Sequence, residues 1–375
     1  MWIIKMGQII EKIASYRVLH YIFALCLLSS LFPFVVYGKY IALAAMVIMA
    51  LLNTYKRWNA VFLAFWIWAM VCSAVNGVWG QRDVAWTLVM LSATPMLGQS
   101  RMSGNVFKAL VKLLPLFVFA NLVAYILNVN YFYILYQEPN KFCFSGLTSH
   151  PQWLGAFTGL ACVYTYYYAV IKKNGDRFRC IMAMVFFLMS VELGLLAGSR
   201  AALLSAGVTI ALMTFLTCDS IYDFLRKSGV VLILLVCLIP VFIQSVEMIE
   251  VKQIAQNYIG LSRTNLWLAQ IQLIKEHPFW GTGLVGGETG NGWLAVASKT
   301  GIPGVIFMFI MMSFVIRQIK EYQLVIPNSM MVVCIFVYLL IHSCFEGYIY
   351  TPGYLGCWMF WACVGYIMNL EKLKG

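Results

Sequence analysis

CIMAMVFFLMSVELGLLAGSRAALLSAGVTIALMTFLT, residues 180–217, contains two apolar runs, 180–197 and 201–217, separated by Gly198, Ser199 and Arg200. Each run falls within the ~17–25 residues that a helix needs to cross the hydrocarbon core of a bilayer. Neither alternates as a strand would. Its only charged side chains are Glu192, inside the first run, and Arg200, at the junction. A chain assembled from such runs has to satisfy its backbone polar groups internally, which leaves a helix bundle or a closed barrel. The runs are too long and too uniformly apolar for barrel strands, which need only ~9–11 alternating residues.

The pattern extends in both directions. Apolar runs fall at 18–37, 40–54, 59–76, 84–98, 109–128, 153–171, 180–197, 201–217, 229–246, 292–316, 329–344 and 353–369. The composition agrees, with 62% hydrophobic and 11% charged residues, against about 25% charged in a soluble domain. The expected fold is all-α: a polytopic transmembrane helix bundle of about 12 spans, forming a single integral-membrane domain over residues 1–375. No internal repeat, low-complexity tract or soluble domain interrupts it. No small-residue cleavage site follows the run Val18–Val36, so it reads as a retained helix and not as a signal peptide.

The formal charge of +12 invites a nucleic-acid reading, but its distribution argues against one. With the N-terminus inside, 18 of the 26 Lys and Arg fall on the inner side and 8 on the outer. Such a bias is the positive-inside signature. It puts both termini in the cytoplasm and explains the basic charge as topology. Arg200, Arg263, His150, His277 and Glu346 then lie on the outer side, together with residues 129–152 and a large extracytoplasmic loop, 247–291. No inner loop is long enough for a nucleotide-binding domain, so any chemistry is external. The eleven cysteines form no Cys-x-x-Cys pair and no His/Cys cluster of metal-ligand spacing; no metal and no cofactor is expected.

Several residues in this frame are candidates for chemistry. Arg200 follows a glycine turn at a helix N-terminus, where backbone N–H groups add to a guanidinium in holding an anion; the alternative is an arginine snorkelling to headgroups. Within 247–291, residues 262–276 read as a short amphipathic helix, capped by Ser262 and ended at His277 by Pro278. Arg263 and Trp267 share one face with Gln270 and Ile274. That helix either turns Arg263 into the bundle, where two arginines clamp a diphosphate, or lies on lipid. His277 sits at the helix end, where it favours the dipole, or serves as a base. Glu192 is an intramembrane carboxylate, a functional candidate or a group paired or protonated in place. Gly281, Gly283 and Gly286 match the dinucleotide-binding spacing formally, but no strand precedes them.

In chain order, FSGLTSHPQWLG at 144–155, GSRA at 198–201, Arg263 with Trp267, HPFWGTG at 277–283, NGWL at 291–294, GIPG at 301–304 and HSCFE at 342–346 resemble the O-antigen ligase and O-antigen polymerase superfamily of polytopic membrane glycosyltransferases. The resemblance covers roughly residues 140–350. It implies transfer on the outer face of a bacterial inner membrane from a polyprenyl-pyrophosphate-linked oligosaccharide, with no nucleotide sugar and no metal. Arg200 and Arg263 would hold the pyrophosphate, with Trp267, His277 and Asn291 lining the substrate. Membrane lipid and a chain-length regulator protein are the other partners implied.

The ligase pattern carries a histidine, its proposed base, immediately before the asparagine of NGWL. This chain has Gly290 there. Acceptor activation then falls to Glu288, His150, Glu192, Glu346 or His277. The departure favours polymerisation of surface-polysaccharide repeat units over ligation of finished O-antigen to lipid A-core. A non-enzymatic lipid-linked oligosaccharide flippase is the third reading, weakened because only Glu192 lies clearly inside a span.

Overall fold

The computed structural model describes residues 17–51, 60–78, 101–131, 144–172, 176–218, 220–237, 263–284, 290–322, 329–350 and 355–368. Among them every regular element is helical and no β-strand occurs. The helices are α1 Arg17–Leu28, α2 Gly38–Leu51, α3 Ala60–Val75, α4 Arg101–Ile126, α5 Pro151–Tyr166, α6 Arg177–Leu196, α7 Arg200–Leu216, α8 Ile221–Cys237, α9 Arg263–Glu276, α10 Gly292–Tyr322, α11 Ser329–His342 and α12 Leu355–Met368. A π-helical turn, Tyr167–Ile171, prolongs α5. Helices lie on the expected runs at 59–76, 153–171, 180–197, 201–217, 329–344 and 353–369. Among the described residues, four segments suffice by length and composition to cross a membrane: Asn105–Ile126, Pro151–Ile171, Arg177–Leu196 and Gly292–Glu321. The expected run 84–98, the end of the run 229–246, Ser262, the loop residues 247–262 and Glu288 lie outside the described residues.

The chain divides into two compact units. The second takes Val111–Ser262 and Val337–His342, and α5 is its core. Small residues let α5 approach its neighbours closely, as in membrane helix interfaces generally. A Cβ at Gly155 would lie 2.1 Å from the Ser199 Cβ, and one at Gly159 would lie 2.5 Å from the Tyr338 hydroxyl. That hydroxyl donates to the Ala156 carbonyl at 2.7 Å. Hydroxyls buried on these helices are satisfied locally. Ser205 and Thr209 donate to carbonyls one turn back at 2.7 Å, and Tyr166 shares a 2.6 Å bond with Thr214.

Where α7 hands over to α8, the buried Lys227 donates to the Thr217 carbonyl at 2.9 Å and pairs with Asp223 at 2.6 Å. The hydrogen bond from Lys227 holds the Asp223 carboxyl below the usual carboxylate range.

The first unit takes Met1–Leu110, Arg263–Phe336 and Ser343–Gly375. Its spine is α10, with α3 and α9 packed along it. A single continuous helix is expected over 292–316; instead Gly301 breaks it, with φ 68° and ψ −176° inside the helix, two residues before Pro303. A break inside a membrane helix leaves backbone groups that have to find partners. They find them in the turn that follows α9. Thr282 N–H donates to the Ser298 carbonyl at 2.8 Å, Gly283 N–H to Lys299 at 3.0 Å, and Ile302 N–H to Pro278 at 2.8 Å. The Trp68 indole on α3 donates to the Thr300 carbonyl at 2.8 Å.

The fit is tight: a Cβ at Gly301 would sit 2.0 Å from the Phe279 carbonyl oxygen, and one at Gly281 would sit 2.4 Å from the Lys299 carbonyl carbon. Trp280 stacks on Trp68 at 5.1 Å. The glycines of the 281–283 stretch therefore seat a turn against a helix, and what precedes them is α9, not a strand.

Candidate functional site

Arg200 owes its position to a helix end. Gly198 takes a left-handed φ of 58°; its N–H donates to Leu195 at 2.7 Å and that of Ser199 to Gly194 at 3.1 Å. This paired pattern closes a helix at a glycine. Ser199 then opens α7 without a side-chain cap of its own, and Arg200 is the first helical residue and exposed. Gly155 backs the turn from α5. Arg200 thus stands at a helix start, a position where backbone N–H groups and a guanidinium together suit an anion. Glu192 lies one turn before the end of α6 and is half-buried.

The 144–150 segment belongs to the same end of this unit. The Leu196 carbonyl, freed where α6 stops, accepts from Phe144 N–H at 3.1 Å. Asn130 Oδ1 accepts from the Ser145 N–H at 3.0 Å and its hydroxyl at 2.6 Å. Asn121 Oδ1 accepts from Leu147 N–H at 3.0 Å. The segment ends at His150, which caps α5: its Nδ1 accepts from Gln152 N–H at 3.1 Å. A neutral imidazole that accepts at Nδ1 carries its proton on Nε2. In this geometry His150 caps α5 through Nδ1.

The first unit holds the other candidates. α9 ends at Glu276, and His277, exposed, follows with its N–H on the Leu273 carbonyl at 2.9 Å. One face of α9 meets α10 and the residue pair before it: Trp267 donates from its indole to the Gly290 carbonyl at 3.1 Å, and Ser298 donates to the buried Gln270. Arg263 opens this helix one turn before Trp267. Asn291 is fully engaged in structure. Its Oδ1 caps α10 through Trp293 N–H at 2.9 Å and Leu294 N–H at 3.0 Å, and its Nδ2 donates to the Cys344 carbonyl at 2.7 Å. Gly292 N–H and the Trp293 indole bind Ser343, at 2.7 and 3.1 Å. NGW is thereby pinned to the turn 343–345, directly before the half-buried Glu346. Gly290 has φ 56°, a region that L side chains rarely adopt.

His150, Glu192 and Arg200 thus fall in the second unit, and Arg263, Trp267, His277, Asn291 and Glu346 in the first. Among the described residues no group of three or more His, Cys, Asp or Glu comes together to hold a metal ion. Asn121 and Asn130 were not anticipated as contributors. The available signal for Asn121 is an amide in the middle of the otherwise apolar stretch 113–127.

Residues 183–309 match the family model described as O-antigen ligase. The match supports the O-antigen ligase and polymerase superfamily. It takes in Glu192, Arg200, Arg263, Trp267, His277, Glu288 and Asn291, and leaves His150 and Glu346 outside. No curated protein matches the chain.

Proposed function

We propose that this chain polymerises lipid-linked surface-polysaccharide repeat units at the outer face of a bacterial inner membrane. The family match suggests an O-antigen ligase or polymerase type of function, with glycosyltransferase-like chemistry in lipopolysaccharide biosynthesis, and the apolar helices suit an integral membrane protein. The observation that carries the proposal is Arg200, exposed at the head of an apolar helix inside the matched segment.

In the proposed reaction a hydroxyl of the acceptor sugar attacks the anomeric carbon of the donor glycan. The bond from that carbon to the pyrophosphate oxygen breaks, and polyprenyl pyrophosphate leaves with the electron pair. Arg200 stabilises the charge that grows on the leaving group, and the sequence adds Arg263 as a second guanidinium. Fixed cations act most strongly where charge develops in a dry site. The hydroxyl proton passes to a carboxylate, for which Glu288, Glu192 and Glu346 compete. The loop 247–291 shields the donor from water. The reaction needs no metal.

The polymerase reading is preferred to the ligase reading because of residue 290. The histidine expected in ligases is a glycine in a left-handed conformation, its carbonyl tied to Trp267. The proposal includes an N-cytoplasmic topology, about 12 spans and a chain-length regulator as partner. A deletion strain is complemented with wild type, Arg200→Ala or Arg200→Lys, and its lipopolysaccharide is run on a gel. The expected pattern is core bearing a single repeat unit in the deletion and in both variants, and a ladder with wild type. Bare core beside long lipid-linked polymer would identify a ligase. Bare core with lipid-linked repeat units trapped on the inner face would identify a flippase.

A further inference from the structure

We infer that Asn121 is a positioning residue for the Arg200 end of the site, an inference that rests on the functional reading above. Asn121 lies in α4, fully buried within a segment apolar enough to cross a membrane. An amide there is unfavourable unless both its ends are bonded, and both are. Nδ2 donates to the Phe117 carbonyl one turn back at 2.9 Å, and Oδ1 accepts from Leu147 N–H at 3.0 Å.

The second bond reaches out of the helix to hold the 144–150 segment. The chain comes this close only because residue 146 is glycine. Gly146 has φ 55°, and a Cβ on it would lie 2.3 Å from Asn121 Oδ1. Three residues before Leu147, Phe144 N–H is bonded to the Leu196 carbonyl, the last residue of α6 before the Gly198–Ser199 turn that presents Arg200. Three residues after Leu147, His150 caps α5, the helix whose Gly155 packs against Ser199. The same segment therefore braces the arginine turn from two sides, through the end of α6 and through α5, and Asn121 fixes that segment from inside a span. The amide acts through the backbone and touches no substrate.

The test uses full-length protein in nanodiscs, with polyprenyl-pyrophosphate-linked repeat units extracted from the deletion strain as donor and acceptor. Asn121→Leu keeps the branched shape and removes both hydrogen bonds. Asn121→Asp, neutral when buried, keeps an acceptor for Leu147 N–H and a donor for Phe117. Gly146→Ala displaces the segment while leaving the amide. Misplacing a binding group by about an ångström costs up to about a hundredfold in rate. Asn121→Leu and Gly146→Ala should therefore raise the donor KM and lower kcat by about tenfold to a hundredfold, while Asn121→Asp restores donor KM. A donor KM within twofold of wild type in Asn121→Leu overturns the inference. So does a loss of activity that only follows the loss of folded protein, or one that Asn121→Asp fails to rescue. Wild-type protein that transfers nothing sinks both this inference and the functional reading; wild-type transfer combined with any of the other three outcomes sinks this inference alone.

Discussion

His150 shows how a residue suited to chemistry is committed by one hydrogen bond. Its Nδ1 takes the Gln152 N–H at the start of α5, so the proton of the neutral ring sits on Nε2. Asparagine caps a helix at least as well, which separates the two roles. His150→Asn is expected to keep both the unfolding midpoint and the transfer rate, whereas His150→Ala loses about 0.5–2 kcal/mol of stability. Thermal unfolding and turnover measured on the same preparations check this. A large fall in turnover of His150→Asn with its midpoint unchanged would return the base role to His150. Asn291 is similarly committed: both ends of its amide bind backbone, so its value lies in fastening the start of α10 to the 343–345 turn. From sequence alone His150 is a candidate base and Asn291 a candidate substrate contact, because residue type and motif position say nothing about which atoms the backbone has already claimed.

At the scale of elements, the local signals were legible. Pro278 ends α9 at the anticipated residue, and Gly198 separates α6 from α7 because a left-handed residue is needed to close one helix before the next begins. Both are decided by neighbours within a few positions. The break in α10 was not legible in this way. GIPG at 301–304 was visible as a motif, but the groups that make the break tolerable come from 278–283 and from Trp68 on another helix. The same holds for Asn121, whose partner Leu147 lies 26 residues away.

The break has a testable consequence. Gly301→Ala places a methyl group into the Phe279 carbonyl at a positive φ. Strained backbone of this kind costs about 1–3 kcal/mol before any displacement of the turn. The variant should unfold at a lower temperature than wild type and be recovered in smaller amount, read by thermal-shift chromatography in detergent. A midpoint equal to wild type would show that the 278–283 turn is not seated as described.

At the scale of the molecule, composition and run length read out an all-helical fold, because a bilayer allows a spanning chain few alternatives. The division into two compact units was not legible. It depends on long-range packing, such as small residues on α5 meeting α6 and α7, and not on any change in composition along the chain. The proposed external chemistry depends on orientation, and the orientation is proposed from the expected bias of Lys and Arg toward the inner side. The most direct test of the central claim is reconstituted transfer. Wild-type protein in nanodiscs, with lipid-linked repeat units and a chelator present, is predicted to yield a ladder of lengthened lipid-linked glycan, and Arg200→Ala to slow its formation by about 10²–10³-fold, as loss of a group that stabilises developing charge does. No lengthening by wild type, or an undiminished ladder with Arg200→Ala, would contradict the account.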